Sequence, residues 1–191
     1  PKINPQIAAN ILRNKEGLNN LALGYGNEKA LNQLMAHHAI IFKPKERLVW
    51  ISSNPYQLGE FVCYDLNKVF KNRSGEDFIV SLQEENSNIP KDTFLETIQY
   101  ANYEKFRIED RNMDAFLENK KDLPLDFVEK YQSLNPDYWL VYYKMGLYFY
   151  QKKLYQSAQE QFEKALTKEI TTLPKKEEIH KYLKKIKRKL P

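Results

Sequence analysis

The sequence predicts an α+β fold in two successive parts: a small sheet with covering helices over residues 1–70 and an all-helical portion over residues 93–191, joined by a linker at 71–92. Three observations predict it. Runs rich in β-branched and aromatic residues, bounded by turn formers, occur at 39–42, 48–52 and 61–64. Beyond residue 93 the apolar residues recur at helical spacing, and no strand pattern returns. Between these parts Asn72, Arg73, Ser74, Gly75, the polar run Glu84-Glu85-Asn86-Ser87-Asn88 and Pro90 surround one apolar patch at 78–80, the composition of a linker.

In the first part, Ile7, Ala8, Ile11 and Leu12 repeat at helical spacing and Gly17 supplies a stop signal. After the Gly24-Tyr25-Gly26 turn, Asn27 is placed to cap a second helix that carries Ala30, Leu31, Leu34 and Met35 on one side. From His38 the pattern changes to strand. Ala39-Ile40-Ile41-Phe42 and Leu48-Val49-Trp50-Ile51-Ser52 are separated by Lys43-Pro44-Lys45, and Phe61-Val62-Cys63-Tyr64 follows the turn around Asn54-Pro55. Three such strands beside helices predict a sheet covered on at least one face, with an unpaired edge that further strands would complete. With Pro1 at its start and no Met before it, the sequence reads as beginning inside a longer parent.

In the second part, Phe94, Leu95, Ile98 and Ala101 open a helix that continues toward Phe116 and Leu117. Helices are then expected over 127–134, 138–150, 155–168 and 175–190. Tyr142-x2-Met145-Gly146-x2-Phe149 followed by Ala158-x3-Phe162-x2-Ala165 has the spacing of a helical hairpin whose small residues let the axes cross closely while aromatics fill the groove. Over this stretch the chain resembles a tetratricopeptide repeat. Pro174 comes four residues later than the repeat's proline, which implies a longer turn, and an earlier, degenerate copy would place Pro136 and Val128 at the matching positions. One hairpin cannot bury its own face, so the flanking helices must stand in for further repeats. The last helix reads as a cap, with Ile179, Tyr182, Leu183, Ile186 and Leu190 as its apolar stripe.

With 191 residues, 42% hydrophobic and 13% aromatic, the chain can bury a real core. No run approaches the roughly 18 apolar residues of a membrane-spanning helix. Cys63 is the only cysteine, so an internal disulfide and a cysteine-based zinc site are both excluded, and the compartment stays open. The net charge of +5 is local: residues 175–191 hold eight Lys and Arg against two Glu, and the remainder is slightly acidic. Cations at a helix C-terminus are favoured by the macrodipole, so this end reads as a solvated surface and no nucleic-acid partner is expected. Tyr142, Tyr143, Phe149, Tyr150 and Tyr155 read as core aromatics.

Four blocks in the first part belong together: Ala9-Asn10-Ile11-Leu12-Arg13-Asn14, Gly26-Asn27-Glu28-Lys29-Ala30-Leu31-Asn32, His37-His38-Ala39-Ile40-Ile41-Phe42, and Tyr56-Gln57-Leu58-Gly59-Glu60-Phe61-Val62-Cys63-Tyr64-Asp65-Leu66. In this order they resemble the C-terminal part of the acyl-coenzyme A:6-aminopenicillanic acid acyltransferase-like family, peptidase family C45, over about residues 1–70. The resemblance implies an αββα sandwich of the N-terminal-nucleophile (Ntn) hydrolase type and cleavage or transfer of an amide-linked acyl group. It also implies a Cys nucleophile exposed at a chain terminus by self-cleavage, with its own α-amine as base. Cys63, inside a strand and without a free amine, cannot take that role; Arg13, in a helix block, is not the family's substrate-binding Arg. No catalytic or cofactor-binding residue is therefore expected within this chain, and acyl-CoA would be a substrate of the parent enzyme.

His38, at a junction into a strand, is the one candidate for lining the active cleft, against a structural hydrogen-bonded role. Adjacent His37 and His38 diverge too far to chelate one metal ion. Gly24-x-Gly26 lacks the strand and the Gly-Lys-Ser/Thr ending of a phosphate loop, while Glu60 and Asp65 read as surface carboxylates. Pro1 as an amine catalyst is disfavoured by the immediate helix. The expected function is thus the C-terminal portion of a C45-like amidohydrolase or acyltransferase, inactive alone, whose partner is the upstream remainder of the parent. The helical part would pack on the sandwich or recruit a protein partner. The alternative is a non-enzymatic tetratricopeptide-like interaction module.

Overall fold

Asn4 opens the first helix, α1 (Pro5–Leu12), by accepting the Ile7 N–H on its side chain at 2.8 Å. Pro5 sits in the first turn, where a missing N–H costs nothing. The helix ends at Arg13, well before Gly17. In this computed structural model the described residues are 3–71 and 81–190. They fall into two units, Pro1–Lys15 with Leu31–Leu95 and Glu16–Ala30 with Glu96–Pro191.

The sheet unit contains an antiparallel meander of β1 (Ile40–Lys43), β2 (Leu48–Ser52) and β3 (Phe61–Asp65), in that spatial order. Register aligns Ile41 with Trp50 and Trp50 with Cys63, so these three point to one face together. They form a core with Ala9 of α1, Ala39, Phe61 and Ile89, against which Ala8, Leu12 and Leu48 pack. The opposite face places Ile40 against Ile51 and Ile51 against Val62, and there Ile40 and Phe42 are exposed. Helix α2 (Leu66–Lys71) follows β3, where the Asp65 carboxylate accepts the Asn67 N–H at 2.8 Å.

The expected linker at 71–92 is only partly testable, because residues 72–80 lie outside the described ones. Its remainder is built into the sheet unit. Phe61 and Ile89 exchange backbone hydrogen bonds of 2.9 and 3.0 Å, and Tyr64 bridges to Gln83, so this segment covers the outer edge of β3. No strand pairs with the outer edge of β1 among the described residues.

The second helix expected from Asn27 does not form, and residues 27–38 are irregular, with a turn at 28–29 and scattered bends. The reason is local competition for the backbone. Asn27 Oδ1 accepts the Lys29 N–H at 3.0 Å and Asn32 Oδ1 accepts the Leu34 N–H at 2.9 Å, while Leu34 adopts a left-handed φ of 52°. Residues 16–30 also join the helical unit, across the boundary expected from sequence. Gly24 explains how. At φ 77° its backbone approaches Tyr138 so closely that a Cβ would lie 2.4 Å from Tyr138 Cα. Tyr25 and Asn135 then bond reciprocally, at 3.0 and 2.8 Å, and Asn27 Nδ2 donates to Leu23 O and Glu169 O, both at 3.0 Å.

The helical unit contains α3 (Ile98–Asn119), α4 (Phe127–Leu134), α5 (Trp139–Gln151), α6 (Tyr155–Leu166) and α7 (Leu173–Lys187), close to the expected spans. Thr97 and Thr172 cap α3 and α7 through their side chains, and Pro174 lies in the first turn of α7. Helices α5 and α6 form a tight hairpin. A Cβ on Gly146 would come within 2.7 Å of the Phe162 ring, so the absence of a side chain there sets the crossing. Phe162 in turn stacks on Tyr182 of α7 at 5.1 Å, and Ile179 and Ile186 are fully buried.

Candidate functional site

The chemistry-bearing side chains of the sheet unit are bound to structural tasks. Cys63 is fully buried in the layer between the sheet and α1, and its N–H donates to Asn88 Oδ1 at 2.8 Å. Desolvation raises the thiol pKa, with the charges of Glu84 and Asp65 acting the same way, so the reactive thiolate is disfavoured. Glu60 accepts from Asn88 Nδ2 at 3.2 Å, and Asp65 caps α2.

His38 lies exposed before β1, with Nδ1 3.1 Å from Ser52 O. As Ser52 O can only accept, Nδ1 carries a proton in this contact. His37 is exposed as well, and among the described residues no group of His, Cys, Asp and Glu could hold a metal ion.

Arg13 has a role that its sequence context did not announce. Only 5% exposed, its Nη2 donates to Gly59 O at 2.7 Å and Pro90 O at 2.8 Å, its Nε donates to Gln57 O at 3.4 Å, and the guanidinium lies 5.1 Å from the centre of the Phe61 ring. Burial lowers its pKa, and the charge of Asp92 opposes that shift. The side chain is a clamp: one planar fork ties the end of α1 to the loop before β3 and to the segment after Ile89. Its partners are backbone carbonyls up to 77 residues away, so no side-chain pattern could have flagged it.

In the helical unit, Lys144 of α5 is 8% exposed, and its Nζ lies 2.8 Å from Asp110 and 2.6 Å from Asp114 of α3. The buried Tyr131 hydroxyl donates to the same Asp110 oxygen at 2.5 Å, and desolvation followed by the Asp110 charge pushes its pKa well above the ordinary phenol value. This cluster was legible in principle: Lys144 interrupts an apolar helix, and Asp110 and Asp114 are one turn apart. It neutralises a buried charge and presents no free base or nucleophile. A half-open cleft of about 460 Å³ lies between α3 and α4, floored by Phe116 and Phe127. Its Glu109 is held below the usual carboxylate range by hydrogen bonds from Lys130 and Asn112. Of the five aromatics expected in the core, Tyr142 and Tyr143 are buried, whereas Phe149, Tyr150 and Tyr155 are only half-buried.

The class defined here is an α+β protein whose helix-backed antiparallel meander is accompanied by a helical hairpin unit. No known family model, curated protein or solved structure matches the chain.

Proposed function

We propose that this chain is the part of a C45-like amidohydrolase or acyltransferase that follows the catalytic cysteine, structural in role and inactive by itself. The observation that carries the reading is the partly exposed apolar face of the sheet, on which Val49 is buried while Ile40, Phe42 and Ile51 are exposed among the described residues. Ile40 and Phe42 are 49% and 65% exposed on a face whose reverse is sealed by α1. A sheet in an αββα sandwich has helices on one side and a second sheet on the other, and an isolated half of it would expose such a face. The burial of Cys63 agrees, because the chemistry then belongs to a nucleophile outside these residues. His38, at the margin of the sheet, would border the cleft of the assembled enzyme, and acyl-CoA would enter as substrate. The helical unit would be a tetratricopeptide-like extension.

Two measurements test this. The purified chain should not hydrolyse acylated amino acids or penicillins, and turnover that survives repurification and is lost in Cys63→Ala would overturn the assignment. The reading frame that encodes residue 1 should carry a Gly-Cys processing junction upstream; an initiation codon directly before Pro1 would favour the interaction module instead.

A further inference from the structure

The last turn of α7 and the two residues after it carry more charge than helix capping accounts for. Lys184, Lys185, Lys187, Arg188 and Lys189 are all exposed, and none forms an ion pair with a carboxylate among the described residues. From Lys181 to the end of the chain the sequence has no acidic residue. The macrodipole supplies roughly half a negative charge at a helix C-terminus, so five cations there repel one another more than the dipole attracts them.

The apolar stripe of α7 is already committed, since Ile179 and Ile186 are buried and Tyr182 stacks on Phe162. Lys185 and Lys189 lie 5.4 and 5.5 Å from the ring centres of Tyr182 and Tyr155, which brings the basic end of α7 beside the turn joining α5 to α6. That turn projects Lys153, in a left-handed conformation at φ 61°, and Leu154, which is 52% exposed. An exposed apolar side chain thus sits beside a cluster of unneutralised cations on one end of the helical unit.

We propose that this end binds the surface of an anionic phospholipid bilayer, the cations meeting headgroup phosphates and Leu154 entering the interfacial region. Charge complementarity selects an anionic partner, and Leu154 selects one with an apolar interior. The cations are nearly all lysine, point charges suited to a fluid array of headgroups rather than to paired base edges. The aromatic rings nearby are engaged with one another, Tyr150 edge-on to Tyr155 and Tyr182 stacked on Phe162.

Flotation of the full chain with vesicles tests the proposal. Vesicles of phosphatidylcholine with about one-third phosphatidylglycerol should carry the protein, and phosphatidylcholine alone should not. Combining Lys184→Gln, Lys187→Gln and Arg188→Gln, all exposed positions, should weaken binding on the order of 100-fold with an unchanged circular dichroism spectrum. Leu154→Ser should weaken it about tenfold. Equal flotation with both vesicle types, or full binding by the folded triple variant, would overturn the proposal. So would tighter binding to a duplex oligonucleotide than to anionic vesicles at physiological salt, which would make nucleic acid the partner.

Discussion

Two phenylalanines separate the units of this chain. Phe162 of the helical unit is fully buried, whereas Phe42 of the sheet unit is 65% exposed. A helix satisfies its own backbone and needs to bury only one stripe, so α3 to α7 can cover one another. A sheet has two faces and two edges. In the sheet unit α1 covers one face and the segment through Ile89 covers the β3 edge, and among the described residues Ile40 and Phe42 on the other face stay exposed and the outer edge of β1 stays unpaired. Both units leave single apolar side chains in solvent, Leu125 and Leu154 in the helical unit among them, but only the sheet unit exposes neighbouring ones on one face of regular structure, Ile40 and Phe42 with Ile51. This face is where the second sheet of the proposed sandwich would pack, and it is the reason the proposed function rests on the sheet rather than on the helices.

The largest expected effect tests whether the sheet unit depends on its buried clamp. Arg13→Met would keep the aliphatic stem but leave the carbonyls of Gly59 and Pro90 without their donor, and should destabilise the sheet unit by about 3 kcal/mol. Trp50 lies in that unit and Trp139 in the other, so urea unfolding followed by fluorescence in a Trp139→Phe background reads the sheet alone. An unchanged midpoint would show the clamp to be idle. On the helical side, Gly146→Leu would drive a side chain into Phe162 and should cost about 1–3 kcal/mol by overpacking, read from Trp139 fluorescence in a Trp50→Phe background. A midpoint equal to that of the parent would mean that the hairpin does not require close approach.

The smallest effect concerns the exposed electrostatics of the helical unit. Hydrogen bonds from Lys130 and then Asn112 lower the Glu109 pKa, so the folded state binds its proton less readily than the unfolded chain. The resulting stabilisation is complete above the ordinary carboxylate range and is lost as pH falls through the lowered value. Because Lys130 is about half exposed, Glu109→Gln should cost less than about 1 kcal/mol at neutral pH. The gap between variant and parent midpoints should vanish in acid, and a gap that widened on acidification would contradict this sign.

The sequence by itself determined the elements whose signal is periodic and near at hand. The three strands follow from contiguous apolar runs, and α3 to α7 follow from helical spacing, because side-chain periodicity reports which face will be buried whatever it is buried against. The close hairpin of α5 and α6 was legible for the same reason, with Gly146 and Phe162 spaced to meet. Tertiary structure decided the rest. Asn27 has the identity of a helix cap, but its amide is spent on Leu23, Lys29 and Glu169, and a turn forms instead. Residues 16–30 join the helical unit because Gly24 admits the backbone of Tyr138, a contact that no local pattern encodes. Arg13 became a clamp because three carbonyls distant in sequence converge on it. Backbone acceptors carry no residue identity, so their meeting point exists only once the chain has folded.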